Sequence, residues 1–499
     1  MMRLLLLLMG FSVMATSQEA KLPFGKMHID EIPQGSRGVS IADLDGNGLN
    51  DIVVANQVDS TKQLGNTIYF NHAEGYKRVA IADGKLDAWS ESVHTVDVDK
   101  DGDLDLFFTT QFGTHNLLYL NNGSGHFSAA DGGALTSDKT NSPGACWCDY
   151  DLDGDMDVFV VNREEEDDEL YINNGKAEFK KAMNGPWKGQ GGDGRACAWG
   201  DLNGDGMPDL YVVNFVRKTD GKVIGKHPNQ LYWNTGNGSF KTATNSIVVE
   251  EENASYGVAL VDFDYDHDLD IYVTNVASSD VNALYENTGD GTFGKLTDLA
   301  VSYQIKRPSK GQSWGDFNND GWLDLYVANG TEGYPEIQNY LFLGTADHSF
   351  VRVYNSLPAI EAHISAGAAS GDLDHDGDLD LYVCNWGGET EANDHYTNLH
   401  SSNGWIKLRL QGTVSNSFGI GSWISLTTDD QRTMTRYFIR ETGYGSENAP
   451  EVHFGLGNAT LIENIMVEWP SGESQTFRNL APNAVYKIIE GKEIKRIDP

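Results

Sequence analysis

The chain has 499 residues, with 73 Asp and Glu against 36 Lys and Arg, a formal charge of -37 and a pI near 4.5. So few cations exclude nucleic acid as a partner, because nothing could replace the counterions on a phosphate backbone. The length exceeds one ordinary core, so the chain must hold two or three units or a closed array of repeats.

Residues 1–17 read as a secretory signal peptide. Met1-Met2-Arg3 gives the charged start, the apolar run to Val13 is too short to span a bilayer, and Ala15-Thr16-Ser17 offers small residues for cleavage. The mature chain is expected to begin near Gln18 and to be secreted, to an extracellular or periplasmic space. No cysteine stands at the cleavage point and no later stretch is apolar enough to span, so neither a lipid anchor nor a transmembrane segment is expected.

Residues 18–400 carry an internal repeat anchored on an acidic nonapeptide. Its seven copies are DLDGNGLND from Asp43, DVDKDGDLD from Asp97, DYDLDGDMD from Asp149, DLNGDGMPD from Asp201, DFDYDHDLD from Asp262, DFNNDGWLD from Asp316 and DLDHDGDLD from Asp372. Each runs into an apolar, β-branched and aromatic stretch such as VFVVN, LYVVN or LYVCN, the composition of a buried strand. Copies two to five then repeat a second signature, from LYLNNGSGHF at Leu118 to LYENTGDGTF at Leu284, in which Asn and Gly between two apolar runs predict a tight hairpin. Copies one and six are looser there. One repeat is therefore a four-stranded antiparallel blade, and seven blades arranged radially protect each other's edges as a seven-bladed β-propeller. The stretch from Phe24 to Ile32 is placed to supply the strand that closes the ring against the last blade.

The acidic loops predict up to seven Ca²⁺ ions with a mainly structural role. Calcium takes six to eight oxygens, and side chains at loop positions 1, 3 and 5 converge when the backbone curls. With position 9 added, the predicted ligands are Asp43, Asp45, Asn47 and Asp51; Asp97, Asp99, Asp101 and Asp105; Asp149, Asp151, Asp153 and Asp157; and Asp201, Asn203, Asp205 and Asp209. Asp262, Asp264, Asp266 and Asp270; Asp316, Asn318, Asp320 and Asp324; and Asp372, Asp374, Asp376 and Asp380 complete the set. The nonapeptides hold 29 of the 73 acidic residues, which would repel one another at this spacing without a cation. Asn at position 3 or 5 lowers the ligand charge, so loops one, four and six are expected to bind more weakly. Position 6 is Gly except in loop five, where His267 predicts a strained turn. An oxygen-only donor set argues against zinc or copper.

Cys146, Cys148, Cys197 and Cys384 are too few for a disulfide scaffold and read first as small buried hydrophobes, with a bridge to Cys197 from a neighbouring repeat left open. After Asn398 the acidic repeat stops. Residues 401–499, with alternating strands such as WIKLRL at Trp405 and IMVEWP at Ile465, form a second, small β-sandwich-like domain.

The acidic loops and their strands resemble the FG-GAP/VCBS repeats of integrin-type propellers. The tail resembles the ASPIC/UnbV domain through Ser415-Asn416 with Gly419-Ile420-Gly421, Gly443-Tyr444-Gly445-Ser446, His453-Phe454-Gly455-Leu456-Gly457 and Val467-Glu468-Trp469-Pro470-Ser471-Gly472. Ser417 departs from the family's usual Arg after Ser-Asn. The resemblance implies an extracellular or periplasmic protein engaged in adhesion, with a protein or glycan ligand, and supplies no reaction. It also implies that the acidic loops lie on one face and the variable loops on the other. There the run from Glu164 to Glu169, the insert from Phe215 to Pro228 and the segments around Trp89, Trp187 and Tyr334 are candidates for ligand contact or for local packing.

Six residues before each first Asp stand Arg37, Glu91, Pro143, Arg195, Tyr256, Lys310 and Ala366, predicted to ring the channel mouth. Arg195, Tyr256, His94 and His363 are the candidate catalytic residues of an alternative reading, a secreted carbohydrate-active enzyme such as a polysaccharide lyase. No nucleophile elbow, zinc helix or phosphate loop supports it, and a non-enzymatic role is the leading expectation.

Overall fold

The computed structural model describes residues 22–497, except residues 28, 30–31, 58–64, 82–88, 165, 191, 220–221, 278, 304–306, 332–336, 388–390 and 401. Residues 1–17, expected to be a signal peptide, and the stretch around Tyr334 lie outside the described residues. Seven four-stranded antiparallel sheets follow one another along the chain. Their innermost strands are Ser36–Ala42, Ser90–Val96, Gly144–Cys148, Gly194–Gly200, Ser255–Val261, Ser309–Gly315 and Ser365–Gly371. Each inner strand touches the next, and the first touches the last, so the sheets close into a ring around a central channel. This is the predicted seven-bladed propeller.

The second strands, such as Asp157–Val161 and Asp380–Asn385, are buried along their whole length. Their unbroken apolar composition follows from burial on both faces, since each lies between two neighbouring blades. Apolar clusters accordingly run from blade to blade. Leu210, Trp199 and Tyr232 of blade 4 share one with Cys146, Phe159 and Leu170 of blade 3.

Closure is made as expected by Phe24–Lys26, which pairs antiparallel with Asp394–Asn398 as the outer strand of blade 7. Lys26 reinforces it, with its Nζ 2.7 Å from Asp394.

Cys146 and Cys197 form a disulfide between blades 3 and 4, so they are not simply buried hydrophobes. They occupy neighbouring inner strands with Cα atoms 5.7 Å apart, whereas Cys148 and Cys384 are free and buried. Trp187 is also core: it is 1 % exposed and packs edge-on against Phe159 and Phe240.

The C-terminal domain has two four-stranded sheets around one apolar core, built from residues such as Ile406, Leu426, Phe454, Ile465 and Trp469. One sheet includes a parallel pair, Gly404–Gln411 with Ala484–Ile489. Between Thr433–Tyr437 and Val452–Gly457 the chain leaves the domain and enters the propeller channel.

Candidate functional site: acidic loops, channel plug and channel mouth

Each acidic loop links the innermost strand of its blade to the second, so all seven lie at one end of the channel. They share one hydrogen-bonded frame. In six loops the position-6 glycine N–H donates to Oδ2 of the position-1 Asp, as Gly102 does to Asp97 at 3.1 Å and Gly154 to Asp149 at 3.0 Å. Loop five departs: His267 takes the left-handed conformation with φ 73°, and the Thr435 hydroxyl of the C-terminal domain bonds Asp262 Oδ2 instead. The His267 ring stacks on Trp423 of that domain at 4.2 Å. The unfavourable backbone of a non-glycine residue there is offset by this contact between domains.

The position-9 Asp is the brace of each loop. Asp105 accepts the Val98 N–H at 3.0 Å and the Asn121 N–H at 2.8 Å, tying position 2 to the third strand of the blade. Asp51, Asp157, Asp209, Asp270 and Asp380 likewise accept from Asn71, Asn173, Asn234, Asn287 and Asn398. These asparagines then reach back one blade. The Asn173 amide donates to the Val98 carbonyl, Asn287 to Leu202 and, across the ring closure, Asn71 to Leu373. Blade 6 has Gly344 at this position and keeps only the backbone half of the arrangement. Sequence reasoning took the Asn for a turn residue. Its recurrence in six copies, each time two residues after a Tyr of the third strand, was the available signal.

Other loop oxygens are left over. Oδ1 of the position-1 residues Asp97, Asp149, Asp262 and Asp372, and of the position-3 residues Asp99 and Asp264, is buried with no hydrogen-bond partner. Ligand atoms of Asp43, Asp45 and Asp51, of Asp97, Asp99 and Asp101, and of Asp149, Asp151 and Asp153 converge within 4.8 Å in each loop. Burial, and after it the neighbouring carboxylates, push Asp51 and Asp105 up to about 8 and Asp157 to about 9. Converging carboxylate oxygens that lack donors and resist ionisation fit a hard divalent cation.

The C-terminal domain covers this face. Lys407 is ion-paired with Asp372. The Gly455 N–H donates to Asp316 Oδ2 at 3.1 Å, and Ser417, where the family pattern has Arg, lies beside Asp97 and draws its carboxyl down against the larger upward effect of burial. Its plug then threads the channel. The Glu447 N–H bonds the Val39 carbonyl at 2.9 Å, the Gly443 N–H bonds Val258 at 3.1 Å and the Ala449 N–H bonds Ser370 at 3.0 Å, in blades 1, 5 and 7. Buried Glu447 accepts from the Ser40 hydroxyl at 2.8 Å and the Thr95 N–H at 2.9 Å, and lies 2.9 Å from His94 Nδ1. Burial raises the Glu447 carboxyl, but Arg440 and His94 outweigh it and hold the group below the ordinary range. The residue five before each first Asp is small, Gly38, Ser92, Gly144, Ala196, Gly257, Gly311 and Gly367, which lets neighbouring inner strands approach closely, as at Gly144 and Gly311, and admits the plug at Gly38 and Gly367. A Cβ on Gly38 would lie 2.1 Å from the Gly445 carbonyl oxygen, and one on Gly367 2.2 Å from Ser446 Oγ.

At the far end of the plug, Tyr444 meets the predicted ring. Its hydroxyl bonds Glu91, and its ring centroid lies 4.7 Å from that of Tyr256. Arg37 is 3.6 Å from Glu91, and the Arg195 guanidinium lies 5.2 Å from the Tyr256 ring. Arg195 and Tyr256 are therefore brought together. His94 is buried beside the plug instead, and His363 pairs with Asp394 at 3.6 Å, near the closing strand.

A closed seven-bladed propeller, acidic loops of oxygen donors at one channel end and a β-domain seated on those loops define a repeat propeller of the ligand-binding class. The chain belongs to the FG-GAP-like repeat family, which matches residues 43–108, 97–160, 149–212, 218–273, 275–327 and 316–383, and the ASPIC and UnbV family matches 412–495. Cartilage acidic protein 1 of Xenopus tropicalis is 23% identical, covering 80% of this chain and 73% of its own. The human protein of that name is 25% identical over 60% of this chain and 44% of its own. Among solved structures, the Dos1 propeller aligns over 80% of this chain and 96% of its own, with a TM-score of 0.41 and 12% identity. The extracellular domain of the putative hybrid two-component system BT4673 from B. thetaiotaomicron aligns over 92% and 47%, with a TM-score of 0.46 and 8% identity. Among the described residues no helix is long and apolar enough to cross a membrane.

Proposed function

We propose that this protein is a secreted, extracellular or periplasmic binding module in which calcium held by the acidic loops pins the first hairpin of each blade. Its ligand, a protein or a glycan, is taken on the opposite face. Positions 1, 3, 5 and 9 would hold each ion, position 9 also bracing the loop, and the ion would supply the positive charge that the clustered carboxylates need. The observation that carries the reading is the contrast between the two faces. The acidic end holds partnerless buried carboxylate oxygens and is covered by the C-terminal domain, which leaves the other end to meet a ligand. Relatives named for cartilage support an extracellular setting.

A glycan array probed with the calcium-loaded protein, followed by a search for ultraviolet-absorbing unsaturated products from its hits, tests the reading. Binding without product supports a module. Product formation would move the protein to a second reading, a polysaccharide lyase, which the approach of Arg195 to Tyr256 favours. If no glycan binds, the ligand is a protein.

A further inference from the structure

The channel mouth opposite the acidic loops gathers cations in a chain that is otherwise strongly acidic. Arg37, Arg195 and Lys310 come from equivalent positions of blades 1, 4 and 6, and Arg163 leans in beyond the second strand of blade 3. Aromatic faces hold them there: Arg37 and Lys310 lie 4.0 and 4.3 Å from the Trp386 ring, and Arg195 lies 4.7 Å from Phe215. Asp193 serves two guanidiniums at once, at 3.6 Å from Arg163 and 3.2 Å from Arg195. Tyr444 floors the recess, and Arg163, with 22% of its side chain exposed, opens it to solvent.

The hydrogen-bonding capacity of this recess is unfilled in a specific way. Nε of Arg37, and both Nε and Nη1 of Arg195, are buried without an acceptor, and Nε of Arg163 has only Asp193 Oδ1, beyond hydrogen-bond reach at 3.6 Å. Arg195 is 2 % exposed and Arg37 7 %. Beside them Oε1 of Glu91, fully buried, has no donor. Buried charged groups are stable when such sites are filled, and leaving them unfilled costs free energy. Guanidinium donors in this number call for an oxyanion, and the neighbouring carboxylate oxygen calls for a hydroxyl.

We infer that the recess binds an acidic sugar, a polyhydroxylated ligand whose carboxylate or sulfate is taken by Arg163 and Arg195 and whose hydroxyl is taken by Glu91. The inference rests on the ligand-binding reading above and assigns it one site and one ligand class.

The test uses the full secreted chain in calcium chloride, with glucuronate, glucose 6-sulfate, glucose and acetate titrated by ligand-observed NMR. The expected result is saturable binding of glucuronate or glucose 6-sulfate, the stronger of the two naming the oxyanion, with glucose and acetate at least tenfold weaker. Arg195→Gln and Arg163→Gln should each weaken the acidic sugar by at least tenfold. Arg163 is partly exposed and Asp193 keeps Arg195 when it is replaced, so its variant is expected to fold and covers the case in which Arg195→Gln does not. The assignment is overturned if neither acidic sugar binds, if acetate binds as tightly as they do, or if Arg163→Gln leaves binding unchanged. Should the protein still capture a glycan or protein elsewhere while neither acidic sugar binds, this site fails and the broader reading stands.

Discussion

Tyr444 and Tyr256 meet inside the channel with their ring centroids 4.7 Å apart, one carried by the C-terminal domain and the other by the inner strand of blade 5. The contact stands at the tip of a plug whose backbone pairs with inner strands that, facing a channel, have no neighbouring strand of their own. The C-terminal domain is thereby a component of the propeller. Removing the Glu447 carboxylate should show this, because it leaves Arg440, 3.5 Å away, as an uncompensated buried charge. Glu447→Ala is expected to cost about 3–5 kcal/mol in chemical denaturation, and a cost near zero would mean that the plug does not stabilise the ring.

Calcium removal should destabilise the propeller. Each loop saturated at a hundred times its dissociation constant contributes about 2.7 kcal/mol, so excess chelator is expected to lower the melting temperature by many degrees. Asp149→Ala, which removes a partnerless position-1 oxygen from an all-aspartate loop, should reduce the calcium-dependent shift more than Asn203→Ala in loop four. An unchanged melting temperature in chelator would remove the structural role of the ions.

The disulfide between Cys146 and Cys197 closes a sequence separation of 51 residues. Unfolding in denaturant without reductant should expose two reactive thiols per chain, from Cys148 and Cys384. Cys197→Ser is expected to cost about 2–4 kcal/mol. Four thiols in the native protein would contradict the pairing.

Asn173 gives both amide hydrogens to buried carbonyls, at 2.8 Å to Val98 in the preceding blade and 3.1 Å to Met156 in its own. Asn173→Ala strands those two acceptors and should cost about 2 kcal/mol or more, read as a lower denaturant midpoint with an unchanged slope. Blade 6 shows that the ring closes with one such tie missing, so this variant should still fold.

Glu490 ties two loops of the C-terminal domain together. Burial raises its carboxyl, but the Ser471 hydroxyl and the backbone N–H groups of Thr413, Val414 and Ser415 lower it to about 2. A folded value below the unfolded one means that the contribution is fully present above the unfolded value of about 4.5. It is lost as the pH falls from there toward 2. Glu490→Gln should therefore be least stable relative to the parent near pH 7, with the gap narrowing toward pH 2 in acid titrations followed by near-ultraviolet circular dichroism. A gap of constant size would assign its role to shape alone.

Seven loops from Asp43 to Asp380, their strands and the closing segment at Phe24 were legible in the sequence because every blade meets the same neighbours. An identical environment selects an identical pattern, and repetition makes that pattern visible. The same logic placed Arg37, Glu91, Arg195, Tyr256 and Lys310 at one mouth of the channel. The fate of Trp187 was left open between a ligand and the core, since an aromatic on a long loop suits either.

By itself the sequence determined a propeller of seven blades, each with its acidic loop, and a separate β-domain after residue 400. It could not determine where that domain sits, which cysteine pairs with Cys197, or that Gly443 to Ser446 lie in the channel. Those contacts join parts of the chain far apart in sequence, each occurs once, and their trace is a row of small residues, from Gly38 to Gly367, whose meaning depends on what passes between them. Local propensity and periodicity fix a blade, whereas the close fit of one domain inside another is decided by shape and by the pairing of buried charges.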